Sequence, residues 1–103
     1  MAAWTPVATL DDFAASDVIL VRVGAEEVAV YLVGGNVYAT ANRCTHGDAN
    51  LSEGFLEGHE IECPFHQGRF DVRTGVATAA PAEIALATWP ARVVADAVEL
   101  LVG

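Results

Sequence analysis

The sequence contains no lysine. Its five basic residues are all arginines, and they face 14 acidic residues, which gives a formal net charge of −9 at pH 7. Binding to the phosphates of nucleic acids or to anionic lipids needs a basic surface, so we expect neither nucleic acid nor a membrane as a partner. The charge instead favours the basic surface of another protein.

Long hydrophobic runs are also absent. Although 53% of the 103 residues are hydrophobic, the longest apolar run covers only positions 28–33, and a membrane-spanning helix needs about 20 residues. Positions 1–15 contain no basic residue and no continuous apolar block, so they lack the features of a secretory signal peptide. We therefore expect a cytoplasmic protein in which residues 1–103 form one domain.

Cysteine is scarce as well, with only two in the chain. In a reducing cytosol such cysteines are more often metal ligands than a disulfide. Each begins a short motif that ends in histidine, Cys44-Thr45-His46 and Cys63-Pro64-Phe65-His66. Two adjacent loops with these motifs would present two thiolates and two imidazoles. Such a set fits either a tetrahedral zinc ion or a two-iron cluster with both imidazoles on one iron.

Short segments rich in Val, Ile, Leu and Tyr alternate with turn residues along the chain, as expected for β-strands. We predict strands at 18–23, 27–33, 37–40, 55–57, 60–63, 69–72, 76–78, 86–94 and 98–102, and a weak helical turn at 10–15. Two predicted hairpins, turning at Gly58-His59 and Thr74-Gly75, adjoin the cysteine–histidine motifs. Turn signals about every 8 to 12 residues favour an all-β sandwich or barrel.

An acidic stretch lies between the two motifs. No arginine occurs between positions 47 and 62, which contain Asp48, Glu53, Glu57, Glu60 and Glu62. Two interpretations remain open: a loop kept soluble by its charge, or a rim that docks a basic partner. Three nearby apolar residues would either form an apolar tip inside such a rim or pack beneath the metal centre: Leu51, Pro64 and Phe65.

The segments CTHG, CPFHQGRFD and the trailing TG together resemble the Rieske family, in particular the small ferredoxins of multicomponent aromatic-ring dioxygenases. The match is close from 42 to 81 and looser over the rest. The resemblance implies a Rieske fold, in which antiparallel sheets form a sandwich- or barrel-like base and two hairpin loops form a cluster-binding subdomain at about 42–81. It also implies one [2Fe-2S] cluster, with its inner iron on Cys44 and Cys63 and its outer iron on His46 and His66. Pro81 matches the third loop of the family, which covers the cluster.

The function implied by the resemblance is electron transfer in aromatic hydrocarbon catabolism. A flavin reductase that uses NADH or NADPH would supply single electrons, and the terminal oxygenase would receive them. Catalysis within the chain is not expected, because an oxygenase iron needs two further histidines and a carboxylate. Only His59 remains, at a predicted hairpin turn where it would be a surface residue or a docking contact. The sequence also has no G-x-G-x-x-G motif for a nicotinamide or flavin.

Two alternatives belong to other functional classes. One is a Rieske-like small subunit fixed to a larger reductase, such as a nitrite reductase. The other is an interaction module stabilised by zinc, which would be colourless, whereas a Rieske protein is brown-red.

Departures from the family pattern bear on the reduction potential. Respiratory Rieske proteins carry a disulfide between their two loops, and the corresponding positions here are Ala49 and Phe65. They also carry Ser and Tyr hydroxyl donors where this chain has Gly68 and Phe70. Hydrogen bonds to cluster sulfurs favour the reduced state, so their loss predicts a potential near the low end of the Rieske range, roughly −150 mV. Restoring both hydroxyls should raise it.

Overall fold

The computed structural model describes residues 2–45, 48–65 and 67–102. The regular elements of the described chain are β-strands and two short 3-10 turns, Leu10–Phe13 and Leu51–Glu53, and loops connect them. The strands are β1 (Ala3–Thr9), β2 (Val18–Val23), β3 (Glu26–Val33), β4 (Asn36–Ala41), β5 (Phe55–Glu57), β6 (Glu60–Glu62), β7 (Arg69–Asp71), β8 (Ala77–Ala79), β9 (Thr88–Trp89), β10 (Ala91–Val94) and β11 (Ala97–Val102). Within these ranges, no helix has the length and apolar character needed to cross a membrane.

Three antiparallel sheets organise the strands, in the orders β1-β11-β10, β2-β3-β4-β9 and β5-β6-β7-β8. The first two sheets enclose a core that we call the base core. Its buried residues are Phe13, Val21, Val28, Val30, Val37, Ala39, Val98 and Leu100. The fold is therefore all-β with antiparallel sheets, as predicted.

Strand β3 forms a wall between this core and a second one. Side chains of a strand alternate between its two faces. Val28 and Val30 accordingly belong to the base core, whereas Ala29 and Tyr31 belong to the second core. The second core also contains Cys44 and Cys63 together with Leu51, Ile61 and Phe70. The fully buried centre of β3, residues 28–31, thus connects the base of the molecule to the region of the cysteines.

Most predicted strands are confirmed within a few residues, but two differences stand out. Strand β1 is not among the predicted strands, because Pro6 interrupts its strand pattern. The structure tolerates this proline because β1 is an edge strand with an irregular register between Pro6 and Ala8. The prediction of one continuous strand at 86–94 is wrong. Pro90 separates β9, which pairs with β4, from β10, which pairs with β11 in a different sheet.

Candidate metal centre

The two loops that carry the cysteine motifs are closed in the same way, by a backbone hydrogen bond between their first and last residues. In the first cysteine loop (44–49), the backbone N–H of Cys44 donates to the carbonyl of Ala49 at 2.9 Å. In the second cysteine loop (63–68), the N–H of Cys63 donates to the carbonyl of Gly68 at 2.8 Å. Each cysteine is therefore fixed at the mouth of a loop that includes its motif's histidine. His46, Gly47 and His66 lie outside the described residues.

Both cysteines are buried in the second core, and they form no disulfide with each other. Cys63 follows β6 and is fully buried, while Cys44 follows β4 and is 3% exposed. The structure thus brings the two predicted cysteine ligands into one apolar core. Such surroundings exclude water from the groups that would bind a metal.

Asn42 fixes the base of the first cysteine loop, a role that no sequence motif indicates. Its side chain is buried; Nδ2 donates to Oδ1 of Asn50 at 3.2 Å, and Oδ1 accepts the N–H of Ser52 at 3.0 Å. Its backbone carbonyl accepts the N–H of Leu51 at 2.7 Å, and its N–H donates to the carbonyl of Glu27 at 3.1 Å. These bonds join both ends of the loop to each other and to the start of β3.

The second cysteine loop is the connection between the antiparallel strands β6 and β7, in which Glu62 lies opposite Arg69. Gln67 has a positive φ of 60°, and its N–H donates to the carbonyl of Cys63 at 3.2 Å. Gly68 lies against a third segment, because a Cβ at this position would be 2.9 Å from the Cβ of Ala82. The absence of a side chain at 68 lets that segment pack directly on the loop.

This third segment, residues 80–87, contacts both cysteine loops, and we call it the cover segment. Ala82 and Leu86 are buried in the second core. The hydroxyl of Thr45 donates to the carbonyl of Ile84 at 2.6 Å, which joins the cover segment to the first cysteine loop. Pro81, predicted to belong to the third loop, is half-buried in this segment.

Arg69 binds three carboxylates of the acidic stretch. Its guanidinium forms ion pairs with Glu57 at 3.0 Å, Glu60 at 3.3 Å and Glu62 at 2.9 Å. Hydrogen bonds to Glu57, Glu62 and Glu60 raise the pKa of Arg69 above its already high value. Neither interpretation of the stretch anticipates this cluster, since the arginine comes from β7 and pairs across the sheet.

The remaining acids of the stretch have separate partners. Asp48 pairs with Arg43, and Glu53 accepts a hydrogen bond from the Nδ2 of Asn50 at 3.2 Å. Four of the five acids are therefore ion-paired. Arg43 and Arg69 compensate only two of the five negative charges, so this part of the described chain stays acidic.

The apolar residues predicted for a tip divide into two groups. Phe65 is 69% exposed, and Pro64 is half-buried. Leu51 is fully buried, so its prediction as a tip residue is wrong and the alternative of packing in the core is right. It turns inward because the 3-10 turn that contains it is fixed to Asn42. Ile84, which is not among the predicted tip residues, is 67% exposed.

Residues in and beside the two predicted hairpin turns lie near the site in structural roles. His59 is in the β5–β6 turn, and its ring meets the ring of Tyr38 edge-on at 5.7 Å between centroids. Asp71 accepts hydrogen bonds from the backbone and guanidinium of Arg73, and these lower the pKa of its carboxyl. Gly75 packs against the Leu86 carbonyl, where a Cβ would be only 2.3 Å away.

A model of the Rieske [2Fe-2S] domain family matches residues 3–90. The chain belongs to this family. The ferredoxin component of the naphthalene 1,2-dioxygenase/salicylate 5-hydroxylase systems of a Ralstonia species is 52% identical over 90 residues, which cover 87% of this chain and 86% of that protein. The resemblance inferred from the motifs is thereby confirmed.

Among solved structures, this Rieske chain is also similar to ferredoxins of dioxygenase systems. The ferredoxin of carbazole 1,9a-dioxygenase from Nocardioides aromaticivorans has a TM-score of 0.89 and 37% identity, with 95% of this chain and 96% of that chain covered. A chain in a complex of reduced oxygenase and oxidized ferredoxin in carbazole 1,9a-dioxygenase has a TM-score of 0.86 and 42% identity, with 95% and 92% covered.

Rieske proteins bind one [2Fe-2S] cluster through two cysteines and two histidines, and this Rieske chain has the side chains to do so. The two buried thiols at the mouths of adjoining loops fit the sulfur half of that set. Phe70, which occupies the position of a tyrosine in high-potential Rieske proteins, is fully buried in the core that contains both cysteines. It offers no hydroxyl to a cluster sulfur.

Proposed function

We propose that this Rieske protein is the ferredoxin component of an aromatic-ring dioxygenase system. It carries single electrons from an NAD(P)H-dependent flavin reductase to the terminal oxygenase. The observation that carries the proposal is the 52% identity to the ferredoxin component of a naphthalene dioxygenase system over 87% of the chain. Ferredoxin components transfer electrons and leave the chemistry to the oxygenase.

The cluster ligands in this proposal are Cys44 and Cys63 on the inner iron and His46 and His66 on the outer iron. When bound, the cluster would supply a one-electron acceptor and donor. The chain's own contribution is to bury both thiols and to keep water away from them with Phe70, Leu51 and the cover segment. The closure of each cysteine loop by its own N–H supports this assignment, because it fixes the ligand at the loop mouth.

Partner contact is proposed for the exposed apolar side chains near the cysteine loops, Phe65 and Ile84. Weak and small interfaces suit a carrier, which must leave one partner before it reaches the other. We also propose that residues 1–103 form one domain, with the cluster-binding part at about 42–81 extended by the cover segment, and that the protein works in the cytoplasm.

The cluster is tested by metal analysis and spectroscopy of the purified protein. We expect about two irons and two acid-labile sulfides per chain, a brown-red colour, and an electron paramagnetic resonance signal after dithionite reduction whose mean g value lies below that of an all-cysteine cluster. The variants His46→Ala and His66→Ala should lose the colour, whereas His59→Ala should keep it. A colourless wild-type protein that contains zinc would support the interaction module instead.

The role in electron transfer is tested by reconstitution. The reduced protein should be oxidised by a terminal aromatic-ring oxygenase and re-reduced by a flavin reductase with NADH or NADPH. A stable complex with a large nitrite reductase on co-purification, without transfer to an oxygenase, would favour the small-subunit alternative.

A further inference from the structure

The base core opens to the surface at one edge of its two sheets. Val23 at the end of β2, Trp89 in β9 and Val102 at the end of β11 are half-buried and pack against this core. Together with Gly24 and Glu26 they line a surface cavity of about 410 Å³, which we call the base cavity. The base cavity therefore has apolar walls and an aromatic ring.

Glu26 places a carboxylate at the rim of the base cavity. Among the described residues that line it, Glu26 alone is charged, and it is exposed. It lies opposite Val23 at the hairpin between β2 and β3. Because side chains alternate along a strand, Glu26 lies on the same face of β3 as Val28 and Val30, which belong to the base core.

No arginine or lysine of the chain is left to pair with this carboxylate. The sequence has no lysine, and each of its five arginines forms an ion pair with another acid: Arg22 with Glu27, Arg43 with Asp48, Arg69 with Glu57, Glu60 and Glu62, Arg73 with Asp71, and Arg92 with Glu99. A cationic partner for Glu26 must therefore come from another molecule, and the net charge of −9 favours its approach.

The lining of the base cavity suits one kind of occupant. An indole ring attracts a cation, apolar walls accommodate a hydrocarbon stem, and a carboxylate pairs with a charged end. An arginine side chain has such a stem, and its planar guanidinium both stacks on aromatic rings and binds carboxylates. Sites for free small molecules enclose most of the ligand surface, whereas the base cavity is a depression open to the surface.

We propose that the base cavity accepts an arginine side chain of a protein partner. The identity of that partner rests on the proposed function, in which it is a redox partner of the ferredoxin, but the preference of the cavity for an arginine does not. The carbonyl of Glu27, next to Glu26, accepts the N–H of Asn42 at 3.1 Å. The rim of the base cavity is thus connected to the base of the first cysteine loop.

The cavity is tested without a partner through the fluorescence of Trp89. In the holoprotein with Trp4→Phe, Trp89 is the only tryptophan, and the probe is a tri-arginine peptide. The peptide should change the emission of Trp89. The half-saturating peptide concentration should rise about threefold in Glu26→Gln, as expected for the loss of one exposed ion pair. Glu27→Gln removes the same charge on the other face of β3 and should bind the peptide as before. A neutral tri-citrulline peptide should have no effect.

Docking is tested by electron transfer with a flavin reductase and with a terminal aromatic-ring oxygenase. In at least one of these assays the KM for the ferredoxin should rise about threefold in Glu26→Gln, with the maximum rate unchanged, whereas Glu27→Gln should keep the wild-type KM. An unchanged KM of Glu26→Gln in both assays would overturn the docking role.

Two results of the peptide titration would overturn the proposal itself. One is equal binding of the tri-arginine peptide by Glu26→Gln and its parent. The other is an equal response to tri-citrulline, which would indicate an uncharged occupant. A wild-type protein that exchanges electrons with neither partner would instead defeat the proposed function, and the peptide titration would still decide what the base cavity binds.

Discussion

The side-chain amides of Asn42 and Asn50 are joined by a hydrogen bond of 3.2 Å across the base of the first cysteine loop. Asn42 is almost fully buried, and both ends of its side chain have protein partners. A buried amide with satisfied hydrogen bonds rigidifies its surroundings, but it becomes costly once one bond is lost. The position of Cys44, two residues further along, therefore depends on a polar contact beneath it.

Asn42→Asp tests this contact with almost no change of shape. The substitution replaces the Nδ2 donor by a carboxylate oxygen that faces Oδ1 of Asn50, so we expect the free energy of unfolding to fall by about 2 kcal/mol. Denaturant unfolding measures the loss. The visible colour of Asn42→Asp should also bleach faster than that of wild type when an iron chelator is added. Asn36→Asp, at an exposed position at the start of β4, is the control. An unfolding midpoint of Asn42→Asp equal to that of wild type would contradict this role.

Local patterns predict the strands and the ligand motifs, because both depend on residues close together in sequence. Contacts across the structure do not appear in such patterns. The ion pair of Arg69 with Glu62 requires the register of β6 on β7, in which these two residues lie opposite each other. The bond of Thr45 to Ile84 follows from the path of the cover segment, which no motif encodes.

Leu51 shows why single residues of a loop are hard to place. An apolar residue in an acidic stretch is compatible with an exposed docking tip and with the core. The choice depends on Asn42, whose carbonyl accepts the N–H of Leu51 and brings this turn over the second core. The histidine ligands, by contrast, are predicted from the motifs alone, and their assignment stays a prediction.

Phe70→Tyr tests the tuning of the reduction potential. Phe70 is buried in the core with both cysteines, so a hydroxyl there could donate to a sulfur and stabilise the reduced state. A preference of about 1 kcal/mol for that state corresponds to a rise of about 40 mV above a starting potential of roughly −150 mV. Potentiometry measures the shift. Phe13→Tyr in the base core should leave the potential unchanged, and an unchanged potential in Phe70→Tyr would refute this account.

The second substitution that would restore a hydroxyl, Gly68→Ser, would cause a steric clash that the sequence does not reveal. Its Cβ would lie 2.9 Å from the Cβ and 3.0 Å from the backbone nitrogen of Ala82. The second hydroxyl of high-potential Rieske proteins is therefore better introduced as Gly68→Ser with Ala82→Gly. This substitution relieves the Cβ contact, although the backbone contact remains.

Arg69→Gln tests the cluster of ion pairs between Arg69 and the acidic stretch. The substitution leaves Glu57, Glu60 and Glu62 close together without their cation, so we expect a lower denaturant midpoint from their mutual repulsion. Added salt should recover part of this loss, because it screens exposed charges. Arg22→Gln removes one exposed ion pair, that with Glu27, and should have little effect. A loss in Arg69→Gln that does not respond to salt would argue against repulsion as its cause.

Tyr31 makes the stability of the protein depend on pH in the alkaline range. Its hydroxyl shares a hydrogen bond of 2.8 Å with the hydroxyl of Thr40, in which either oxygen can be the donor. Burial raises the pKa of Tyr31 above its usual 10.0, although the bond with Thr40 acts in the opposite sense. Above that value the unfolded chain releases this proton while the folded chain keeps it.

The free energy of unfolding should therefore fall as the pH rises through and beyond 10.0. Tyr31→Phe should remove this part of the pH dependence and should lose about 1 kcal/mol near neutral pH, where only the hydrogen bond is missing. Denaturant unfolding between pH 7 and about 11.5 measures both effects. Tyr38→Phe should keep the alkaline fall. If Tyr31→Phe loses stability with rising pH as steeply as wild type, another group is responsible.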